Sequence, residues 1–241
     1  MARRRPTWLP LVAAALAMAL FSTLGTWQLQ RASEKQALFD AIEQGAQRRA
    51  IELPYAEEAL AELEYRRVHA RGHFLSPRQF LLDNRMLDGR VGYDVLAPLR
   101  LDDGRTVLVD RGWVPAGPQR EPQGRVALDE TGPLTVTGRL WRPQPGIALG
   151  RAVTESEGWP RTATRVDYAA FSEALGRTLV PAVIRAEGEQ PWALTPRPLT
   201  PPFGPERHYG YAVQWFALAL TVLVIAVVLT WRGRGKTTNG N

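Results

Sequence analysis

The chain has 241 residues, a formal net charge of +6 and no cysteine, which excludes disulfide bonds and thiolate metal ligands. Its basic character does not indicate nucleic-acid binding, because residues 32–207 hold 23 of the 30 Lys and Arg residues and all 24 Asp and Glu residues. That central segment is nearly neutral, so we predict no nucleic-acid partner and read the excess charge as a signal of membrane topology.

Two uncharged segments lie near the ends of the chain, at residues 6–30 and 208–231. At about 1.5 Å per helical residue, each is long enough to cross a hydrocarbon core of roughly 30 Å. Trp residues near the ends of both segments are typical of membrane interfaces. We therefore predict a multi-pass protein with two transmembrane helices in a lipid bilayer. A cleaved signal peptide is the alternative for the first segment, but its apolar run is long and no small-residue cleavage site follows.

Basic residues flank the two predicted spans, at Arg3–Arg5 before the first and at Arg232, Arg234 and Lys236 after the second. Basic flanks remain on the cytoplasmic side of a membrane. Residues 1–5 and 232–241 are therefore predicted to be cytoplasmic, and residues 31–207 to form an exported domain. That compartment would be the periplasm of a bacterium or the intermembrane space of a mitochondrion.

The exported segment alternates short strand-like runs with turn signals. A helix is predicted to continue over residues 32–47, with short helices at 56–64 and 167–175. The turn at residues 102–104 indicates a hairpin. We predict an α+β domain of mainly antiparallel β structure, with a small barrel as one form it can take, followed by a stiff, proline-rich connector at residues 191–205. Strands are expected at residues 66–74, 79–84, 92–101, 105–114, 134–141 and 179–187.

The central segment carries no recognisable catalytic motif. It lacks a phosphate-binding glycine loop, a nucleophile elbow and a zinc-protease helix motif, so we predict that the protein is not an enzyme. His69 and His73 lie four residues apart on a predicted strand, which separates them by about 13 Å, too far to chelate one metal ion. We interpret both as surface histidines.

His208 is the most informative ionisable residue, because it stands where the second span enters the membrane. Pro205 and Glu206 predict a helix start there, which places His208, Tyr211 and Trp215 at i, i+3 and i+7 on one helical face. Such an imidazole could ligate a haem iron beside an aromatic side chain, with Arg31 and Arg207 pairing with the haem propionates. An interfacial histidine within an aromatic belt, with no ligand, is the alternative, and these residues alone do not decide between the two.

Five blocks of sequence resemble the surfeit locus protein 1 family, in the order typical of that family. They begin with Gly-Thr-Trp-Gln-Leu-Gln-Arg at the end of the first span and finish with His-Tyr-Gly-Tyr-Ala-Val-Gln-Trp-Phe at the start of the second. One residue departs from the pattern: Asp110 stands where that family usually has Asn before Arg-Gly-Trp. The five blocks occupy residues 25–31 with Lys35, 65–74, 89–98, 107–115 and 208–216.

The resemblance implies an assembly factor, or chaperone, for cytochrome c oxidase in the inner membrane of a bacterium. Its partners would be the catalytic subunit of the oxidase and, as a further candidate, haem a synthase. The resemblance also implies that haem a is bound transiently, with His208 as the iron ligand and Trp215 as its neighbour. The Arg-Gly-Trp strand is assigned to the fold or to a partner surface of the exported domain, with Gly112 for close backbone approach and Trp113 for core packing. The alternative function is a membrane scaffold that stabilises an oxidase assembly intermediate without handling haem.

Overall fold

The computed structural model describes residues 8–124, 126–129, 132–143, 150–154, 158–201 and 203–235. Within these ranges the chain forms four helices and eight strands. The helices are α1 (Leu9–Gln47), α2 (Glu57–Glu62), α3 (Tyr168–Leu175) and α4 (Glu206–Gly235). The strands are β1 (Ile51–Glu52), β2 (Arg67–Phe74), β3 (Phe80–Leu87), β4 (Arg90–Leu101), β5 (Thr106–Pro115), β6 (Leu134–Trp141), β7 (Arg161–Ala163) and β8 (Leu179–Ala186).

The chain divides into two compact units, one of residues 1–40 and 200–241 and the other of residues 41–199. The first unit contains most of α1 and all of α4, and both helices are long and apolar enough to cross a membrane. This agrees with the two predicted apolar helices. The predicted cytoplasmic segment 1–5 lies outside the described residues, as does the predicted tail beyond residue 235, and α4 continues through Gly235.

The second unit is built on a closed barrel of five strands. Strands β2, β6, β8, β5 and β4 pair in that order, and β4 pairs back with β2. Closure leaves these five strands without a free edge. Most pairs are antiparallel, as predicted; β5–β8, β1–β2 and β3–β7 are parallel. Strand β3 extends the sheet beyond β4, and β7 pairs with β3.

The barrel has an inner core and a second apolar layer outside it. Ala97 and Leu99 of β4 belong to the inner cluster, whereas Leu96 belongs to the outer cluster. In the outer layer, Phe171 of α3 stacks on Phe80 of β3 with ring centroids 3.9 Å apart. Residues 92–99 are all buried because β4 is covered on both faces. This explains why residues 95–99 of β4 form a continuous apolar run instead of an alternating pattern.

Local signals set the ends of α3 as the sequence predicts. The Asp167 carboxylate accepts a hydrogen bond from the Ala170 amide at 3.1 Å, and Gly176 ends the helix in the left-handed conformation at φ 66°. The six long strands also lie close to their predicted positions. Strands β1 and β7 were not predicted, because two or three residues are too few to show a periodic pattern.

The first part of the proline-rich stretch 191–205 packs against the barrel. Trp192 is buried and meets the Phe74 ring edge-on, with centroids 5.0 Å apart. The Trp113 amide donates to the Thr195 carbonyl at 2.7 Å. The sequence predicted an extended connector, and the structure shows that its beginning is held by backbone hydrogen bonds and by an aromatic contact.

Candidate functional site at the start of the second apolar helix

Helices α1 and α4 approach each other along a row of small residues. Gly25 and Ala32 of α1 and Ala212 of α4 are all buried. A Cβ added at Gly25 would lie 2.8 Å from the Phe216 ring, so the glycine makes room for that side chain. Small residues permit this kind of close helix contact in membrane proteins. Phe21 and Trp215 stack across the same pair of helices, with ring centroids 5.7 Å apart.

His208 lies in the first turn of α4, as predicted. The helix begins at Glu206, and the Pro205 carbonyl accepts hydrogen bonds from the amides of His208 at 3.0 Å and Tyr209 at 3.2 Å. Pro205 therefore stands one residue before the helix, where its missing N–H costs nothing. The His208 side chain is partly buried at this end of the helix pair.

The imidazole of His208 is tied to α1 by one hydrogen bond. Its Nδ1 atom lies 2.8 Å from Oε1 of Gln28. A carbonyl oxygen can only accept, so Nδ1 carries the proton in this contact. In the neutral imidazole the lone pair then lies on Nε2, the nitrogen that is available to a metal or another donor.

The predicted aromatic neighbours of His208 lie in different surroundings. Trp215 is partly buried by its stacking on Phe21, so this residue belongs to the helix contact. Tyr211 is 50% exposed. The three residues therefore do not share one environment: Trp215 packs against α1, whereas Tyr211 lies on the exposed surface of α4.

Arg31 and Arg207 both lie at the same end of the helix pair as His208. Arg31 follows Gln28 by one helical turn, makes an exposed ion pair with Glu34 at 2.7 Å and lies over the Trp27 ring. Arg207 lies over the Phe203 ring at 4.1 Å. Exposed ion pairs and cation–π contacts each contribute at most about 1 kcal/mol, so both guanidinium groups can exchange these partners for a stronger anion.

The barrel contains a second group of polar side chains, and these are deeply buried. The Asp94 carboxylate receives two hydrogen bonds from Arg197, at 2.8 and 2.5 Å, and its side chain has no exposed surface. Since Arg197 belongs to the proline-rich stretch, this pair fixes that stretch to β4. The hydrogen bond to Asp94 raises the pKa of Arg197.

Asp110, the residue that departs from the family pattern, is also buried but less completely paired. Its Oδ2 atom lies 2.9 Å from Nε of Arg185, yet it accepts no aligned hydrogen bond. Its Oδ1 atom accepts from the Gly112 amide at 3.0 Å. Burial raises the pKa of Asp110, and the attraction of Arg185 opposes that shift. Asp110 therefore contacts the backbone of its own strand and Arg185, and it contacts none of the predicted haem-binding residues.

The rest of the Arg-Gly-Trp block serves the fold, as predicted. Arg111 is buried and donates to the Gln79 side chain and to the carbonyls of Val126 and Trp192. Burial lowers its pKa to about 10. Gly112 has φ 121°, and a Cβ there would lie 2.6 Å from the Thr195 carbonyl, so only glycine fits without strain.

His69 and His73 lie on β2, where the sequence places them. His73 is exposed and His69 is partly buried, and both alternate with buried residues along the strand. Within the part of the chain that the structure describes, no three His, Asp or Glu side chains are grouped to hold a metal ion.

A sequence model of the SURF1 family matches residues 15–220, which include the barrel, Gln28, His208 and Trp215. The chain belongs to the SURF1 family. Among curated proteins, this SURF1-family chain is 27% identical over 235 residues to a SURF1-like protein of Monosiga brevicollis. The aligned region covers 88% of this chain and 84% of that protein.

Two further SURF1-family relatives match a smaller part of this chain. Surfeit locus protein 1 of Xenopus tropicalis is 34% identical over 139 residues, or 50% of this chain and 44% of that protein. Cytochrome oxidase assembly protein SHY1 of Saccharomyces cerevisiae is 36% identical to this chain over 94 residues, which are 38% of this chain and 24% of the yeast protein. These matches confirm the resemblance that the five sequence blocks indicate.

The sequence patterns of this SURF1-family protein do not identify Gln28 as the hydrogen-bond partner of His208. The first sequence block includes Lys35, but the sequence assigns no contact to this residue, whose ammonium group donates to the Phe203 carbonyl at 3.1 Å. The spacing of residues along α1 could have indicated both Gln28 and Lys35 as residues that face α4. Gly25, Gln28, Ala32 and Lys35 are spaced by three, four and three residues, so they mark the α1 face that meets α4.

Proposed function

We propose that this protein is an assembly factor for cytochrome c oxidase that binds haem a through His208 and assists its insertion into the catalytic subunit. Membership of the SURF1 family and the name of the yeast relative, cytochrome oxidase assembly protein SHY1, support the role in oxidase assembly. One observation carries the haem-binding part: the His208 imidazole is fixed at a helix entrance through Nδ1, which leaves Nε2 free.

The residues around His208 fit a haem group. A neutral imidazole nitrogen is a good ligand for haem iron, and half-exposed Tyr211 offers an aromatic surface beside it. Arg31 and Arg207 carry exposed guanidinium groups suited to carboxylates such as the propionates. When bound, the haem would supply an iron centre to be delivered; the protein's own part is to hold, orient and release it.

The proposed setting is a bacterial inner membrane, with both termini cytoplasmic and residues 31–207 periplasmic. The basic residues outside the two apolar segments support this orientation. Alkaline phosphatase fused after residue 120 should be active, and the same enzyme fused after residue 236 should be inactive. Activity of the second fusion would show that the topology is wrong.

The haem-binding proposal is tested by purifying the full-length protein from cells that make haem a and recording its visible spectrum. His208→Ala should lose most of the haem and change the spectrum of the remainder. His69→Ala and His73→Ala are matched controls, because they remove an imidazole from β2, and they should bind as the wild type does. Equal protein levels in the membrane must be shown, since a misfolded helix would imitate a lost ligand.

The alternative, a scaffold without a haem-handling role, predicts a different result. The His208→Ala protein would keep its haem and spectrum, or would support oxidase assembly as well as the wild type. Deleting the gene separates both roles from haem synthesis. We expect oxidase activity to fall while haem a is still made, because no catalytic motif is found in the sequence. Loss of haem a from the membranes would indicate a synthetic enzyme or an obligatory partner of haem a synthase.

A further inference from the structure

We infer that Gln28 is a positioning residue for the His208 ligand: its amide carbonyl holds the imidazole in the tautomer that presents Nε2. This inference rests on the proposed haem binding by His208. Its structural basis is the 2.8 Å contact between Oε1 of Gln28 and Nδ1 of His208, which joins two helices across 180 residues of sequence.

The chemistry of the pair decides which nitrogen is free. The amide oxygen accepts the proton of Nδ1, so the same hydrogen bond selects the tautomer and restrains rotation of the ring. Histidine ligands of metals commonly donate their second ring N–H to a carbonyl or carboxylate, which raises the basicity of the ligating nitrogen. Without an acceptor at residue 28, the proton can move to Nε2 and the ring can turn.

The packing of α1 on α4 fixes the distance between the two partners. Gln28 lies one turn from Gly25, whose missing side chain accommodates the Phe216 ring, and one turn from buried Ala32. Gln28 therefore lies on the contact face of α1, whereas Gln30, two residues later, is exposed. The two glutamines differ in their surroundings and not in their chemistry.

A purely structural role for Gln28 makes a different prediction. Side-chain hydrogen bonds between membrane helices contribute roughly 1 kcal/mol to helix association, and their loss would reduce protein level or haem content. It would not shift the reduction potential of bound haem in opposite directions for different substitutions. A change in the electron density of the ligating nitrogen would do so.

The test compares Gln28→Leu and Gln28→Glu in the full-length protein, with Gln30→Leu and Gln30→Glu as matched controls. Affinity is measured by titration with ferric protoporphyrin IX, and the midpoint potential is measured on haem-loaded protein. Gln28→Leu should weaken binding by about 10- to 100-fold, the usual effect of losing such a partner, and raise the midpoint potential. Gln28→Glu should retain binding and lower the potential, because a carboxylate is a stronger acceptor.

The outcomes separate this inference from the proposed function. Potentials that stay unchanged, or that move in the same direction in both Gln28 variants, would overturn the positioning role even if His208→Ala abolishes binding. A wild-type protein that binds no haem, or binds it equally well with His208→Ala, would overturn the proposed function and the inference with it. If Gln28→Leu fails to accumulate, Gln28→Glu is compared with Gln30→Glu: a lower midpoint potential in Gln28→Glu alone supports the positioning role, and equal potentials in the two variants overturn it.

Discussion

The barrel and the pair of apolar helices use buried polar groups in different ways. In the barrel, Asp94 is completely buried and receives two aligned hydrogen bonds from Arg197. In the helix pair, His208 is only partly buried, and within the described residues its side chain makes one hydrogen bond, in which Nδ1 donates to Gln28. Both oxygens of the Asp94 carboxylate accept hydrogen bonds within the barrel, whereas Nε2 of His208 has no hydrogen-bond partner among the described residues. Polar residues that the fold leaves unsaturated are better candidates for ligand binding than those it fully pairs.

The largest expected effect comes from breaking the saturated pair. Asp94→Ala leaves the Arg197 guanidinium partly buried without its carboxylate, and Arg85, 3.8 Å from Asp94, loses the same partner. Removing one member of a buried ion pair costs about 3–5 kcal/mol. Urea unfolding of the detergent-solubilised full-length protein, followed by tryptophan fluorescence, should show this loss.

Asp102→Ala is the matched control for that comparison. It removes a carboxylate from an ion pair with Arg71 whose side chains are both more than half exposed. Such a pair contributes less than about 1 kcal/mol. Equal effects of the two substitutions would show that burial does not distinguish these ion pairs.

Asp110→Asn should have a smaller effect than Asp94→Ala. Asparagine keeps an acceptor for the Gly112 amide, and it removes a carboxylate whose ionised form is disfavoured by burial. The loss is limited to the charge facing Arg185, so we expect a cost of about 1–2 kcal/mol in the same unfolding measurement. A cost as large as that of Asp94→Ala would mean that Asp110 is as well satisfied as Asp94.

The helix contact is tested by Gly25→Ala and its rescue. The added methyl group would meet the Phe216 ring at 2.8 Å, so the helices should separate and the Gln28–His208 contact should lengthen. We expect haem affinity to fall by about tenfold, the effect of roughly 1.4 kcal/mol of overpacking. Combining it with Phe216→Ala should restore affinity, because the ring is the obstacle. If the double variant binds no better, the helix contact does not control the site.

The smallest effect is expected for Trp215→Ala, which removes the stacking on Phe21 but no proposed ligand. An aromatic pair contributes about 0.5–1.5 kcal/mol beyond its buried area, so haem binding should weaken only several-fold. The absorption spectrum of the bound haem should remain that of the wild type. A changed spectrum would show that Trp215 affects the ligand set directly.

Much of the fold follows from local sequence patterns. The two uncharged segments predict α1 and α4 because length and apolarity are properties of the segments themselves. The six longer strands and α3 follow from alternation, turn residues and caps. The position of His208 in the first turn of α4 likewise depends only on Pro205, Glu206 and the residues beside them.

Tertiary structure alone decides the contacts between distant residues. Nothing local to β4 or β2 indicates that they pair and close the barrel, nor that Arg197 reaches Asp94 across 103 residues. The Gln28–His208 contact has the same character, because each residue lies in an ordinary helical sequence and only helix packing brings them together. Sequence patterns therefore determine most of the elements that form, and they place His208 in the first turn of α4. The packing of those elements decides which nitrogen of His208 is free, since that depends on a partner 180 residues away.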